Sequence, residues 1–433
     1  MEYLASDKIA IVDLSTGDIT EDELDEDLVL DKIGGAGITK HLYDQHVSAH
    51  PTENGPIVLG TGLLTGTLVP GASLGILTAK SPSTGKVSHM PLNLDAGMEL
   101  KYSGFDYIVI KGSADKPVYL WIHDGILDIN DAGDLWGKDT WAATDHIRSE
   151  MGDDLIQVLS IGQAGENASD LAQIGINYWQ SADRFGFGKL CGEKNLKLIA
   201  IRGMGLLEIS EPEAFMEDCA ELIAAIRSNT TTPNQGIAAV SAALGEEDLG
   251  DWLGPLTHRH MACFNTPVAT NTFIFTDEDP ALLKETIVTE PGFLLTDIFP
   301  LVALKKAGLS AKDAGLVLKA CAKYGIDGAA VAELSAKSGL TRPEEIEKTL
   351  PDLKGPVEST GKSIFSPWAA VGQDINANWE RRQAVAYVLG LHPIWFQITT
   401  ELTEEKLLDL AGLGSEMEFT QETLDEVIED ILA

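Results

Sequence analysis

The hydrophobic pattern of the sequence changes near residue 210, and this change limits the folds that the chain can adopt. Before it, short aliphatic runs end in glycine, as in PIVLGTG at 56–62 and DYIVIKG at 106–112. Runs of this kind are typical of strands that end in tight turns. After it, apolar residues recur at i, i+3 and i+4, as in PEAFMEDCAELIAAIRS at 212–228, which is typical of amphipathic helices.

The two patterns predict an α+β protein, with a sheet-rich N-terminal domain at 1–207 and a mostly helical C-terminal region at 208–433. Seven runs are predicted as strands, at 8–14, 56–62, 73–80, 106–112, 118–125, 155–162 and 196–203. Six segments are predicted as helices, at 37–45, 140–151, 212–228, 311–325, 341–350 and 420–433. The chain of 433 residues is long enough for two or three domains of ordinary size.

The charge and the apolar runs of the sequence limit the partners and the location that we expect for the chain. The formal net charge is −36, so the surface repels phosphate backbones and we expect no nucleic-acid binding. The sequence has no apolar run of the length that crosses a membrane, so no membrane span is expected. The first residues, MEYLASDK, lack the basic and apolar segments of a signal peptide. We therefore expect a cytoplasmic protein.

One short cluster has the residue types of a metal site. The four cysteines of the sequence form no CxxC pair, but THRHMAC places His258, His260 and Cys263 in an H-x-H-x-x-C pattern. Together with the remote His392 these residues offer four ligands for zinc or a single iron ion. The alternative interpretation is a surface loop that carries histidines, with Cys263 as a small buried apolar residue.

Glycine-rich segments punctuate the N-terminal half, at 33–37, 60–71, 161–167 and 184–197. Glycines after a strand allow close approach of a ligand to the backbone, and successive free N–H groups can hold an anion. None of these segments matches the dinucleotide or P-loop fingerprints. Taken singly, each predicts a tight turn.

Taken in order, these segments resemble the N-terminal domain of the aldehyde ferredoxin oxidoreductase family. The similarity rests on GTGLLTGTLVPG, AKSPSTG, ELKYSGFDYIVIKG, SIGQAGEN and RFGFGKLCGEKNLKLIAIRG, which follow one another from residue 60 to 203. The resemblance implies a tungsten or molybdenum bis-pterin cofactor and a [4Fe–4S] cluster. It also implies the family reaction, in which an aldehyde is oxidised to a carboxylate and ferredoxin accepts the electrons.

The resemblance also implies which residues would contact the pterins. These are Gly60, Gly62, Thr65, Gly66, Arg184, Gly186, Gly188, Gly325, Asp327 and Gly390. At other family positions the polar residue is replaced. Ala36 and Leu74 stand where the family has arginines, and Ala322 and Tyr387 stand where it has aspartates.

The residues that would hold the iron–sulfur cluster and move protons are also replaced. The four cluster positions correspond to Cys263, Thr266, Thr270 and His392, so we expect no [4Fe–4S] cluster. Apolar residues occupy FLLT at 293–296, where the family has acidic residues.

These replacements favour a family member that has become a non-catalytic or structural subunit, assembled with itself or with a redox partner. A second hypothesis is an active tungsten or molybdenum pterin oxidoreductase that uses an iron–sulfur cluster of a partner subunit. A third is a metal-binding protein that uses the histidine and cysteine cluster.

Overall fold

A computed structural model describes most of the chain. The described residues are 3–47, 55–229, 235–246, 248–276, 292–353, 357, 361–366 and 377–433. Their strands are β1 (Lys8–Asp13), β2 (Asp18–Glu23), β3 (Ile57–Thr61), β4 (Gly75–Lys80), β5 (Val87–Leu92), β6 (Tyr107–Lys111), β7 (Val118–His123), β8 (Ile126–Asp131), β9 (Gln157–Ile161), β10 (Ile174–Ile176), β11 (Trp179–Gln180), β12 (Leu196–Arg202), β13 (Thr257–Met261), β14 (Asn271–Phe275) and β15 (Gly292–Leu295). All seven predicted strands are confirmed.

Helices alternate with these strands in the first half and dominate the second. They are α1 (Glu26–Lys32), α2 (Gly35–His46), α3 (Ala96–Tyr102), α4 (Thr140–Met151), α5 (Gln163–Glu166), α6 (Phe187–Glu193), α7 (Pro212–Ser228), α8 (Gly236–Ala243), α9 (Gly250–Leu253), α10 (Ile298–Lys306), α11 (Ala311–Tyr324), α12 (Gly328–Lys337), α13 (Pro343–Thr349), α14 (Ala377–Leu389), α15 (Pro393–Ile398), α16 (Glu404–Ser415) and α17 (Gln421–Leu432). The six predicted helices are confirmed, and so is the α+β architecture.

Two six-stranded sheets build the N-terminal half. The first has the order β2-β1-β6-β3-β4-β5, and the second has the order β11-β10-β9-β12-β7-β8. Each sheet contains one parallel pair, β1 with β6 and β12 with β7, while the other pairs are antiparallel. β3 and β9 are buried along their whole length, which explains why their sequences read as unbroken apolar runs.

Local sequence signals set the ends of the helices. The carboxylate of Asp139 accepts a hydrogen bond from the Ala142 backbone N–H at 2.7 Å, which satisfies a free donor at the start of α4. At its other end, Gly152 adopts a left-handed conformation with φ of 69°. The predicted and observed bounds of α4 therefore agree.

The second half also contains a small sheet that its helical pattern does not indicate. β13, β14 and β15 form an antiparallel sheet in that order. The middle of β13 reads His258, Arg259 and His260, and all three residues are exposed. The strand therefore lacks the apolar alternation by which a half-buried strand is recognised.

The last helices of the chain pack back onto the first sheet. α14 and α17 contact α2, which itself covers β3 and β4. Ile38, Val388 and Leu424 belong to one buried apolar cluster at this contact. The boundary at residues 207 and 208 stays a prediction, because sequence-distant elements share one core here.

None of the helices in the described ranges combines the length and the apolar character that a membrane crossing requires.

Candidate functional site

The predicted cofactor glycines after β3 lie against the end of α14. The backbone N–H of Leu64 donates to the carbonyl of Leu389 at 2.9 Å, and that of Leu74 donates to Gly390 at 3.0 Å. A Cβ atom on Gly62 would lie 2.1 Å from the Gly390 nitrogen. Glycine is therefore required at Gly62 because two backbones meet there.

The other residues of this group also contact the protein itself. The Thr65 hydroxyl donates to the Leu74 carbonyl at 2.6 Å. A Cβ on Gly60 would lie 2.4 Å from the Tyr107 ring, and the Gly66 carbonyl accepts a 2.6 Å hydrogen bond from Tyr102. The structure thus brings together five of the predicted cofactor-binding residues. They are Gly60, Gly62, Thr65, Gly66 and Gly390.

The remaining predicted glycines form a second group beside β10. The Gln173 N–H donates to the Gly325 carbonyl at 2.8 Å, and the Gly188 N–H donates to the Ala172 carbonyl at 3.2 Å. Gly186 adopts a positive φ of 76° at the start of α6. These glycines position α6 and the end of α11 against the second sheet.

The predicted arginine of the site is buried in an ion pair. The Arg184 guanidinium donates to the Asp297 carboxylate and lies over the Phe299 ring, 4.8 Å from its centroid. The Arg184 side chain is only 1% exposed. A protein carboxylate therefore neutralises the charge of Arg184, and a phosphate would have to compete with Asp297 for the guanidinium.

Two further carboxyls are buried around Arg184. Burial raises the pKa of Asp327 to about 6, although the Arg184 charge opposes this shift. Burial also raises the pKa of Asp183 to about 7, against hydrogen bonds from the backbone N–H groups of Phe185 and Ile174. Asp327 accepts a 2.9 Å hydrogen bond from the Ala329 N–H and caps α12. The carboxyl that was predicted to bind cofactor therefore has a structural partner.

A buried aromatic group occupies the region between the first sheet and α14. His89 on β5 stacks on Phe365 with 5.3 Å between ring centroids, and Tyr387 lies 6.2 Å from His89. The Tyr387 hydroxyl donates to the Ser366 carbonyl, and the Ser366 hydroxyl donates to the carbonyl of Ala182. These three rings define the central aromatic group, His89, Phe365 and Tyr387.

His89 is a buried titratable residue that sequence reasoning missed. Its Nδ1 lies 2.8 Å from the Thr78 hydroxyl, which lies 2.6 Å from the Thr39 hydroxyl. Its Nε2 has no hydrogen-bond partner among the described residues. The signal in the sequence is a lone histidine inside the otherwise apolar VSHMPL run of β5.

The titration of His89 leads to a prediction on stability. Burial lowers the pKa of His89 from 6.5 to about 3. Between these values the unfolded chain binds a proton that the folded chain does not, so stability falls as the pH drops. We expect His89→Gln to make the slope of the unfolding free energy against pH shallower by about 1.4 kcal/mol per unit.

Urea titrations between about pH 4 and pH 6 measure this slope. His146→Gln is the matched control, because the His146 side chain is 40% exposed. The same slope in His89→Gln and in the unchanged protein would contradict the prediction.

Three of the four cluster positions are joined by hydrogen-bond contacts of Thr270. The Thr270 hydroxyl lies 3.4 Å from His392 Nε2. Cys263 Sγ accepts a hydrogen bond from Asn271 at 3.7 Å, and Thr270 is a further hydrogen-bond partner of this thiol. Burial raises the pKa of the Cys263 thiol to about 11, so the thiolate that binds metal is disfavoured.

The other predicted metal ligands lie elsewhere or have other partners. His392 Nδ1 accepts a 3.1 Å hydrogen bond from the Trp395 N–H and caps α15, and burial lowers its pKa to about 4. His258 lies on exposed β13 with its ring 4.5 Å from that of Phe275, and His260 Nδ1 lies 3.1 Å from the Thr272 hydroxyl. In the described part of the chain, no three His, Cys, Asp or Glu side chains lie close enough to hold a metal. The structure therefore does not bring His258, His260, Cys263 and His392 together as one metal site.

The N-terminal half matches a known domain family. Residues 9–203 match the domain described as "Aldehyde ferredoxin oxidoreductase, N-terminal domain". A curated relative, the tungsten-containing aldehyde ferredoxin oxidoreductase of Pyrococcus furiosus, is 35% identical over 246 residues. Residues 9–203 therefore carry the N-terminal domain of the aldehyde ferredoxin oxidoreductase family. This confirms the family resemblance that the glycine segments indicate.

The matches to curated relatives are partial. The aligned region of the Pyrococcus furiosus protein comprises 55% of this chain and 40% of that relative. The "Aliphatic sulfonate oxidoreductase, WOR-like subunit" of the same organism is 30% identical over 264 residues, which are 57% of this chain and 42% of the relative. The chain thus matches about two fifths of the length of these family members.

A solved structure extends the similarity of fold to the whole chain. A chain of the "Active site complex BamBC of Benzoyl Coenzyme A reductase in complex with 1,5 Dienoyl-CoA" superposes with a TM-score of 0.79. The match covers 100% of this chain and 88% of that chain at 19% identity. At this identity the match concerns the fold alone.

Proposed function

We propose that this chain is a non-catalytic subunit of a redox assembly, built on the aldehyde ferredoxin oxidoreductase fold. The observation that carries the proposal is the contact of Thr270 with both His392 and Cys263. A [4Fe–4S] cluster needs four ligands held apart by its iron and sulfide atoms. Here the hydroxyl of Thr270, itself one of the four positions, contacts two of the others directly.

The residues that would hold the pterins support the same proposal. A pterin phosphate needs unpaired cations or free N–H groups, whereas Arg184 is paired with Asp297. Tyr387, which stands where the family has an aspartate, packs its ring 5.0 Å from that of Phe365 and carries no charge for a pterin. We infer from this ion pair and from the family polar residues replaced by Ala36, Leu74, Ala322 and Tyr387 that the chain does not hold a tungsten or molybdenum bis-pterin.

Partnership with other subunits is the second element of the proposal. One relative is described as a WOR-like subunit, and the structural match comes from a complex. We propose assembly with a redox partner or with a second copy. All four cysteines are free and buried, which supports the cytoplasmic location that the sequence predicts.

An active tungsten pterin enzyme is the second candidate, because curated relatives are tungsten-containing oxidoreductases. It would use an iron–sulfur cluster of a partner subunit.

Aldehyde-dependent reduction of a viologen dye separates the two candidates. The full chain is purified together with the subunits that co-purify with it, from cells grown with tungstate, and assayed beside the tungsten-containing relative of Pyrococcus furiosus as a positive control. We expect no turnover above the dye blank with aliphatic or aromatic aldehydes. Turnover that follows the chain through purification would contradict the proposal.

A further inference from the structure

Three of the most exposed large apolar side chains in the described part of the chain line one groove. Leu68, Leu206 and Met216 are 49%, 93% and 51% exposed. With Tyr102 and Phe215 they line a cavity of about 370 Å³, called here the Leu206 groove. Single exposed apolar residues are common, but several around one concave surface mark an interaction site.

The walls of the Leu206 groove are held in place by hydrogen bonds. The Gly205 N–H donates to the Tyr102 carbonyl at 2.9 Å, and the Leu4 N–H donates to the Glu208 carbonyl at 3.0 Å. Leu206 therefore projects from a segment that is tied to the fold on both sides. A surface arranged in advance loses little conformational entropy when a partner binds.

The segment at 205–217, which supplies most of the lining of the groove, is acidic. Residues 205–217 contain four glutamates and no lysine or arginine. All four, Glu208, Glu211, Glu213 and Glu217, are exposed. Within the ranges that the structure describes, none of them forms an ion pair.

We propose that the Leu206 groove docks a segment of a partner protein that carries aliphatic side chains flanked by lysine or arginine. Aliphatic side chains would fill the groove, and basic side chains would match the exposed glutamates of the segment at 205–217. A second copy of this chain would bring a net charge of −36 against the same acidic segment. This inference rests on the proposed role as a subunit and adds the surface and the chemistry of the partner.

A defined peptide tests the docking chemistry without a known partner. The probe is a fluorescent amphipathic helix with leucines at i, i+3 and i+4 and lysines elsewhere, and its counterpart carries glutamate for lysine. Fluorescence anisotropy measures binding of each peptide to the full chain. We expect binding of the lysine peptide only, and a loss of at least about tenfold in affinity with Leu206→Asp.

The matched control separates docking from general attraction to an acidic protein. Ile126→Asp adds the same charge at a side chain that is 51% exposed on β8. General attraction predicts equal or tighter binding for both variants, whereas docking predicts a loss with Leu206→Asp alone. Equal affinities in the two variants, or equal binding of the glutamate peptide, would overturn the inference.

Sedimentation of the full chain tests whether a second copy of the chain occupies the groove. A dimer that Leu206→Asp dissociates and Ile126→Asp does not would assign the groove to a second copy and overturn the inference. Anisotropy and sedimentation measure binding alone. A negative result would therefore reject the docking surface, whereas aldehyde oxidation or a bound cofactor would reject the proposed non-catalytic role.

Discussion

Gly62→Ala is expected to destabilise the protein by about 3 kcal/mol or more, or to prevent folding. The added Cβ would lie 2.1 Å from the Gly390 nitrogen, 2.2 Å from its Cα and 2.5 Å from the Leu389 carbonyl carbon. These are backbone atoms, so no side-chain rotation relieves the clash. The loop after β3 and the end of α14 would have to separate.

Gly175→Ala is the control for this prediction. Gly175 lies in β10 without a positive φ, and its Cβ would make only ordinary contacts, the nearest with the Trp179 carbonyl oxygen at 3.5 Å. Alanine there should change the unfolding free energy by no more than about 1 kcal/mol. Urea unfolding of both variants measures the difference. If Gly62→Ala proves as stable as the unchanged chain, the close contact of the two backbones is contradicted.

The second large effect concerns the buried ion pair. We expect Asp297→Asn to cost about 3 kcal/mol of unfolding free energy, because the Arg184 charge loses its carboxylate partner in a buried setting. Asparagine can still accept the 3.1 Å hydrogen bond from Phe299 N–H that Asp297 accepts at the start of α10. The expected loss of unfolding free energy therefore comes from the missing charge, because the hydrogen bond that caps α10 is kept.

Two further variants test whether the loss of stability comes from the charges of this buried ion pair. Glu345→Gln removes one charge from the pair with Arg342, whose side chain is 72% exposed, and should cost no more than about 1 kcal/mol. Arg184→Met combined with Asp297→Asn removes both charges and should cost less than Asp297→Asn alone. The double variant is also compared with Asp297→Asn and Arg184→Met made singly. If it loses more unfolding free energy than these two variants lose together, Arg184 stabilises the protein through contacts other than Asp297.

Local sequence patterns predict most of the elements that build this fold. The run LKLIAIRG predicts β12 because it is apolar, β-branched and ended by glycine. The sheet β13-β14-β15 is missed because its first strand is polar and exposed. Strand pairing at an exposed edge leaves little trace in the local hydrophobic pattern.

The candidate site is harder to predict from the sequence than the fold, because its contacts join residues that are distant in the sequence. The family resemblance assigns positions 263, 270 and 392 to one cluster site, and in the structure the Thr270 hydroxyl contacts both His392 and Cys263. The H-x-H-x-x-C spacing instead suggests one metal site, although His258 and His260 lie on an exposed strand and Cys263 is buried beyond it. The contact of His89 with Phe365 depends on tertiary packing that no local pattern records.

We propose that this chain keeps the fold of the family without the family cofactor. Elemental analysis of the natively purified full chain, with pterin fluorescence on the same sample, tests it most directly. Our proposal predicts far less than one tungsten or molybdenum atom per chain and no stoichiometric pterin or iron. One tungsten per chain together with pterin would contradict the proposal and show that the residues around Arg184 and His89 accommodate the cofactor after all.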